Sequence, residues 1–470
     1  MFDIEKLTKY KCRFNQYTEL RMHRNDHNSF TYYDGKIVEQ FLPIQNSGGV
    51  SARVFKNGAY GYSSLPCYSD EAISEVLSVA KNNAELIGRY TRNNRKNVLQ
   101  VECGKVLLDQ SVTYLNRYDI KALIEDLVCY CNEKYPSVKV ESLSVNIDSC
   151  EKLLVVSNGF DSHSIEWYAT IDGTFSRACI NRADVLEVRK EYFFTEALSS
   201  MVKDMRKLYS WIDTAIEELK EKSIEQIKEP VEAEVGEFEC VLSQHFAGIL
   251  AHEAVGHTME ADSVITNDSV GSQYLGQQVA SPLVSLTDFP HTAYGKPLPV
   301  RIYVDDEGVL CREAEIIKDG VLLGTMNNRY TAEILGESPT GNARASLFSD
   351  EPIIRMRNTC FLPGDSTLDE MIASIDKGYY FKTASGGNGG PTGKFCVYSV
   401  EAYEICKGKM GRAIYPTVIS GHAWDVLKTV DMVSSDFRVD QQIGMCGKKQ
   451  IIPTISGGPE MKLRLKVGEK

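Results

Sequence analysis

Two histidines and a glutamate stand together in His252-Glu253-Ala254-Val255-Gly256-His257, and these side chains could bind a divalent metal and move a proton. Imidazole nitrogens ligate zinc, and a neighbouring carboxylate can accept the proton of an attacking water. The spacing is one residue longer than in H-E-x-x-H, where both rings face one groove of a regular helix. At about 100° per residue, a five-residue step sets the second ring about 140° from the first. The rings converge only if the helix widens into a π-type turn, and Gly256 is the expected weak point because glycine stabilises a regular helix poorly. The plainer alternative makes His252 a core-edge residue and His257 a cap that complements the helix dipole. Phe246, Ile249, Leu250, Ala251 and Val255 give the motif apolar surroundings.

A zinc hydrolase needs about three protein ligands and one open position for water. His252 and His257 would supply two, and Glu253 would act as general base and then acid. A further ligand must come from elsewhere, and the sequence leaves several choices. His245 lies about two turns before His252. His291 and His422 sit in loops, and Glu260 follows soon after His257. Cys446, flanked by Gly444 and Gly447, would present a thiolate with backbone freedom, a ligand that suits zinc.

The chain must fold far enough to bring such distant residues together. Its 470 residues exceed one ordinary core. A formal charge of -12 argues against a nucleic-acid binder, which needs concentrated Lys and Arg. The N-terminus lacks the layout of a secretory signal, and no apolar run is long enough to span a membrane. The 13 cysteines are scattered and odd in number, which fits a reducing, cytoplasmic setting better than a disulfide framework.

Hydrophobic periodicity supplies the supporting elements. Phe30–Tyr33 and Gly49–Phe55 read as strands, with a hairpin turn at Asn57-Gly58. Asp70 can cap a helix over about 71–95, with Ile73, Val76, Leu77 and Ala80 on one face. A second helix covers about 118–134. Strands follow over about 137–187, broken at Asn158-Gly159 and Asp172-Gly173, and a helical region spans about 190–228. Pro230 with Glu232, Glu234 and Glu237 marks a boundary. Beyond it come the motif helix, strands separated at Asp305–Gly308 and Lys318–Gly320, and a closing strand with Met461, Leu463 and Leu465 on one face. The layout predicts an α+β chain of two domains, 1–228 and 229–470. Both have antiparallel sheets and packed helices; the second is strand-rich and carries the motif helix. Ser385-Gly386-Gly387-Asn388-Gly389-Gly390-Pro391 reads either as a surface connector or as a mobile wall over a groove. It is no phosphate loop, since Phe395 follows Lys394.

These residues, in this order, resemble the TldD/PmbA peptidase family, whose members were formerly described as modulators of DNA gyrase. The likeness spans nearly the full length and is strongest in the second half. It rests on Leu250–Glu260, Asp305–Gly308, Pro339–Arg344, Thr392–Tyr403 and Ile443–Lys448. The chain looks more like the metal-bearing TldD-type subunit than its partner, which lacks the paired histidines.

The resemblance implies that His252, His257 and Cys446 bind Zn2+ and that Glu253 is the catalytic base. It implies cleavage of short or unfolded polypeptides bound as an extended strand, with leader-peptide removal as one role. The family's cleft lies inside a dimer, so a homodimer or a heterodimer with a PmbA-like subunit is expected. The competing expectation is an inactive peptide-binding or regulatory subunit. A DNA-associated role would have to overcome the negative charge.

Overall fold

The computed structural model describes residues 2–40, 47–90, 97–107, 117–178, 185–194, 204–225, 230–439 and 444–468. The chain is α+β and forms two compact units. The N-terminal unit comprises Met1–Asn97, Cys103–Ile227 and Leu347–Glu351; the C-terminal unit comprises Val98–Glu102, Lys228–Ser346 and Pro352–Lys470.

An eight-stranded sheet dominates the N-terminal unit. Its centre is the long strand Thr18–Tyr33, paired antiparallel to Ser47–Lys56 and to Lys139–Val156. The Asn57-Gly58 turn forms as expected, with both residues at positive φ (53° and 82°) between Ser47–Lys56 and Ala59–Leu65. The helix Asp70–Tyr90 buries Ile73, Val76, Leu77 and Ala80 against these strands, so its apolar stripe faces the core. Residues 91–95 of the expected helix lie outside the described residues. Arg117–Lys134 and Arg206–Glu225 cover another part of the sheet, around Leu143, Val145, Ile171 and Phe175.

Two expectations fail in this unit. Asp172-Gly173 does not break a strand, because Phe160–Ala178 runs straight through it. Gly173 instead makes room for rings: a Cβ there would lie 2.8 Å from Phe175 and 2.9 Å from Trp211 of the covering helix. The helical region also begins later than expected. Val185–Phe194 is a strand paired with Phe160–Ala178, and the helix covers Arg206–Glu225; residues 195–203 lie outside the described residues. Glu187 and Arg189 are exposed with Val188 buried between them, the two-residue period of a strand.

The C-terminal unit holds two seven-stranded sheets. In one, Leu286–Phe289 and Asn358–Phe361 are central, and Gln450–Gly458 lies parallel to Asn358–Phe361. Gly444–Lys448 folds back on Gln450–Gly458 as a hairpin. In the other sheet, Lys377–Gly389, Gly236–Leu242, Met461–Val467, Thr417–His422 and Lys394–Cys406 close into a ring, since the first and last of these also pair. Parallel pairs thus interrupt otherwise antiparallel sheets. The short helix Gln244–Leu250 packs on strands of both sheets. Phe246, Ala247 and Leu250 are fully buried there, which fixes the origin of the motif.

Candidate metal centre

Helical geometry changes at the motif. Ser243 caps Gln244–Leu250 by accepting the Phe246 N–H; the chain then widens into a π turn over Ala251–Val255 and tightens into a 3-10 turn over Gly256–Met259. The Gly256 N–H reaches the Ala251 carbonyl, five residues back. This wide turn brings His252 and His257 onto one side, with ring centroids 5.0 Å apart and planes at 87°. The distortion is absorbed at Val255 (φ -110°), not at Gly256, whose φ of -51° is ordinary for a helix. Gly256 serves close packing: a Cβ would lie 2.1 Å from the Met356 sulfur.

Cys446 reaches the same place from the Gly444–Lys448 hairpin. His252, His257 and Cys446 each offer one ligand atom, and these atoms lie within 4.8 Å of one another. The Cys446 sulfur is 3.7 Å from Nε2 of His257. Among the described residues, no other group of three or more such side chains clusters this way. The donors fit a zinc ion, which takes imidazole and thiolate ligands at about 2.0–2.3 Å, and modest side-chain movement would bring all three onto one ion. Glu253 is beside them, with Oε2 3.9 Å from Nε2 of His257.

The protonation of the cluster follows from this proximity. Burial disfavours a charged imidazole, but hydrogen bonds to Cys446 and Glu260 raise the His257 pKa to about 10. Burial likewise opposes a thiolate, yet hydrogen bonds from His252 and His257 lower the Cys446 pKa to about 5. Without metal, the site is therefore organised as a thiolate facing imidazolium. A cation ligated there replaces the proton as the balancing charge.

The remaining sequence candidates lie elsewhere or play other parts. His245 lines the cavity and its Nε2 lies 3.3 Å from the Ala384 carbonyl. His291 stacks on Tyr303 at 4.5 Å, and His422 precedes the helix Ala423–Leu427; neither joins the cluster. Glu260 is a support: Oε2 meets Nδ1 of His257 at 3.3 Å, the contact that orients a metal-binding imidazole. Two residues escaped sequence reasoning. Arg355 donates from Nη2 to the Cys446 carbonyl at 2.6 Å, and Lys448 lies 3.4 Å from Glu260. Arginine and lysine usually mark surface, so only the apolar neighbours Ile353, Ile354 and Met356 hinted that Arg355 is buried.

A cavity of about 500 Å³ opens over the cluster, lined by His252, Glu253, His257, Cys446, Met445 and the glycine-rich segment. That segment is neither a connector nor a loop up to Gly389. It ends the strand Lys377–Gly389, paired through Gly386–Gly389 with Phe395–Tyr398. Its other edge pairs with Gly236–Leu242 only from Gly378 to Phe381. Glycine is required by close approach: Cβ atoms at Gly387 and Gly389 would lie 2.9 Å from Cγ and 2.0 Å from the carbonyl oxygen of Glu253.

Acidic and amide motif residues elsewhere in the unit are structural. Asp305 accepts N–H groups from Glu307, Val309 and Ala343, and burial followed by the nearby Glu307 pushes its pKa up to about 8. Asn342 bonds Asp288, which also holds Arg357 at 2.8 Å.

Fold and site together define a two-unit α+β protein with a histidine–histidine–cysteine cluster and a carboxylate at one cavity. Residues 235–467 match the family model described as PmbA/TldA metallopeptidase C-terminal domain. A metalloprotease of Methanocaldococcus jannaschii is 28% identical over 470 residues, covering 97% of this chain and 98% of the relative. A zinc metalloprotease TldD homolog of Saccharolobus solfataricus is 28% identical, covering 89% of this chain and 90% of the relative. The crystal structure of TldE from Thermococcus kodakarensis superposes with a TM-score of 0.75 at 18% identity, covering 99% of this chain and 100% of that one, which shows a shared fold. The chain belongs to the TldD/PmbA family of metallopeptidases.

Proposed function

We propose that the chain is a zinc-dependent peptidase that cleaves short or unfolded polypeptides bound as an extended strand, with leader removal or peptide maturation as its role. The observation that carries this reading is the convergence of His252, His257 and Cys446 within 4.8 Å beside the Glu253 carboxylate. Zinc is the ion best matched to two imidazoles and a thiolate, and the zinc metalloprotease name of the Saccharolobus relative supports it. When bound, the ion would supply Lewis acidity toward a carbonyl and lower the pKa of water.

The chain's own residues then divide the work. His252, His257 and Cys446 hold the ion from the helix and the hairpin. Glu253 accepts the proton of the attacking water at its carboxylate and returns it to the departing amine nitrogen. Beyond Phe381, the strand Lys377–Gly389 leaves Gly236–Leu242, turns the Lys382 and Ala384 carbonyls to Ser243 and His245, and lines the cavity with Ser385–Gly389, where a peptide could lie as a further strand. Pairing of this kind reads backbone and leaves side-chain preference loose.

The cluster belongs to a dimer in this reading, formed with a second copy or a PmbA-like subunit. No described helix is long and apolar enough to cross a membrane. The described cysteines are free thiols, which supports a cytoplasmic setting.

Glu253→Gln tests the reading. Zinc should be retained while cleavage of an unstructured peptide mixture falls at least about 100-fold. Undiminished cleavage would overturn the base assignment. Zinc below about a tenth of an ion per chain, in protein purified without chelator, would overturn the metal assignment.

A further inference from the structure

The two histidines and Cys446 are 189 residues apart from His257 to the thiol, so something must hold the hairpin in register with the helix. One fully buried side chain does so. Nη2 of Arg355 donates to the Cys446 carbonyl at 2.6 Å, and Nη1 donates to the Gln450 carbonyl at 2.9 Å. These acceptors lie on opposite arms of the hairpin, on either side of Lys449, which turns through φ 58°. The guanidinium thus spans the turn that presents the thiol.

Its third nitrogen faces the helix. Nε of Arg355 is 3.9 Å from Oε1 of Glu260, whose other oxygen meets His257. Both Nε and Oε1 are buried and make no hydrogen bond. Such orphaned, oppositely charged atoms are costly in a protein interior unless they serve an arrangement made elsewhere. Lys448, on the same hairpin, adds a second link by meeting Glu260 at 3.4 Å and Asp262 at 2.7 Å. The hairpin is therefore joined to the segment that follows His257 through Glu260, which faces both Arg355 and Lys448, and through Asp262.

We propose that Arg355 and Glu260 are positioning residues that clasp the Cys446 hairpin to His257, so that the thiol and the imidazole meet one metal ion. This rests on the metal reading above. A guanidinium is needed because only its planar fork can reach two carbonyls and a carboxylate together; a lysine ammonium has the charge without that geometry.

The test uses the full chain loaded with Co2+ and Zn2+. Wild type should show a thiolate-to-cobalt charge-transfer band in the near ultraviolet. Arg355→Lys should weaken that band and lower zinc affinity, measured by chelator competition, about 10- to 100-fold. Wild-type band and affinity in Arg355→Lys would overturn the clasp while leaving the metal site intact. A wild-type chain with no such band would sink the metal reading itself, and the clasp with it.

If Arg355→Lys does not fold, Glu260→Gln decides the matter. It leaves both arginine–carbonyl bonds and removes only the charge that links them to His257. Zinc affinity should then fall about tenfold, with secondary structure unchanged by circular dichroism. Unchanged affinity would contradict the proposal.

Discussion

In the N-terminal unit, the buried Arg53 meets a carboxylate on the neighbouring strand; in the C-terminal unit, buried arginines chiefly meet backbone carbonyls. Arg53 and Glu19 stand opposite each other in register and make a bidentate pair at 2.9 and 2.8 Å. The half-exposed Arg24 and the buried Glu151 face each other in the same way across the next strand pair. Arg344 instead donates to the carbonyls of Met356 and Pro453, and Arg355 to those of Cys446 and Gln450. A cross-strand pair fixes register and could be exchanged for apolar side chains. An arginine bound to carbonyls fixes where a loop lies, and here that loop carries a thiol. The same residue type thus supports a sheet in one unit and a reactive cluster in the other.

The largest effect should come from splitting a closed pair. Glu19→Ala leaves Arg53 buried without its main partner and should cost about 3–5 kcal/mol of unfolding free energy, measured by denaturant titration. The double variant Glu19→Leu/Arg53→Leu should recover much of that loss, and zinc affinity should stay at the wild-type value in both. Weakened zinc binding in the double variant would blur the distinction between the units. Cys446→Ala should act in the opposite sense, lowering zinc affinity by more than about 100-fold, beyond the range of supporting contacts, with little loss of fold.

A smaller effect is expected at the cavity wall. Gly389→Ala would push a methyl into the Glu253 carbonyl at 2.0 Å. Overpacking there should cost about 1–3 kcal/mol and reduce peptide cleavage more than metal content. Gly173→Ala, crowded less tightly by the Phe175 ring at 2.8 Å and the Trp211 ring at 2.9 Å, should cost less stability and leave metal content unchanged.

The smallest effect is the pH dependence of the metal-free chain. His257 is raised from 6.5 to about 10, so its contribution is complete below 6.5 and is lost as pH rises through 10. Cys446 is lowered from 9.0 to about 5, so its contribution is complete above 9 and is lost as pH falls through 5. Thermal unfolding without metal should show a plateau between about pH 6.5 and 9, falling on both sides. In Cys446→Ala the acidic limb should flatten.

Much of the site was legible because its chemistry is local. The five-residue step from His252 to His257 demanded a wide turn, and Ala251–Val255 supplies it. The reason assigned to Gly256 was wrong in kind: its missing side chain admits Met356, which lies between the strands Ile353–Ile354 and Asn358–Phe361 and which no window around residue 256 contains. The glycine-rich segment misled similarly, since flexibility and close approach select the same residue type. Helix was read from about residue 190, whereas the strand Val185–Phe194 continues to Phe194. Arg355 could not be found at all, because its partners lie about a hundred residues away and are backbone atoms, which leave no trace in side-chain pattern.

The central claim is that one ion is held jointly by the widened helix and the hairpin. X-ray absorption at the zinc edge of the loaded chain tests it most directly. The account predicts two imidazole nitrogens at about 2.0–2.1 Å and one sulfur at about 2.3 Å, the sulfur disappearing in Cys446→Ala. A wild-type spectrum with no sulfur ligand, or one in which the sulfur survives Cys446→Ala, would contradict it.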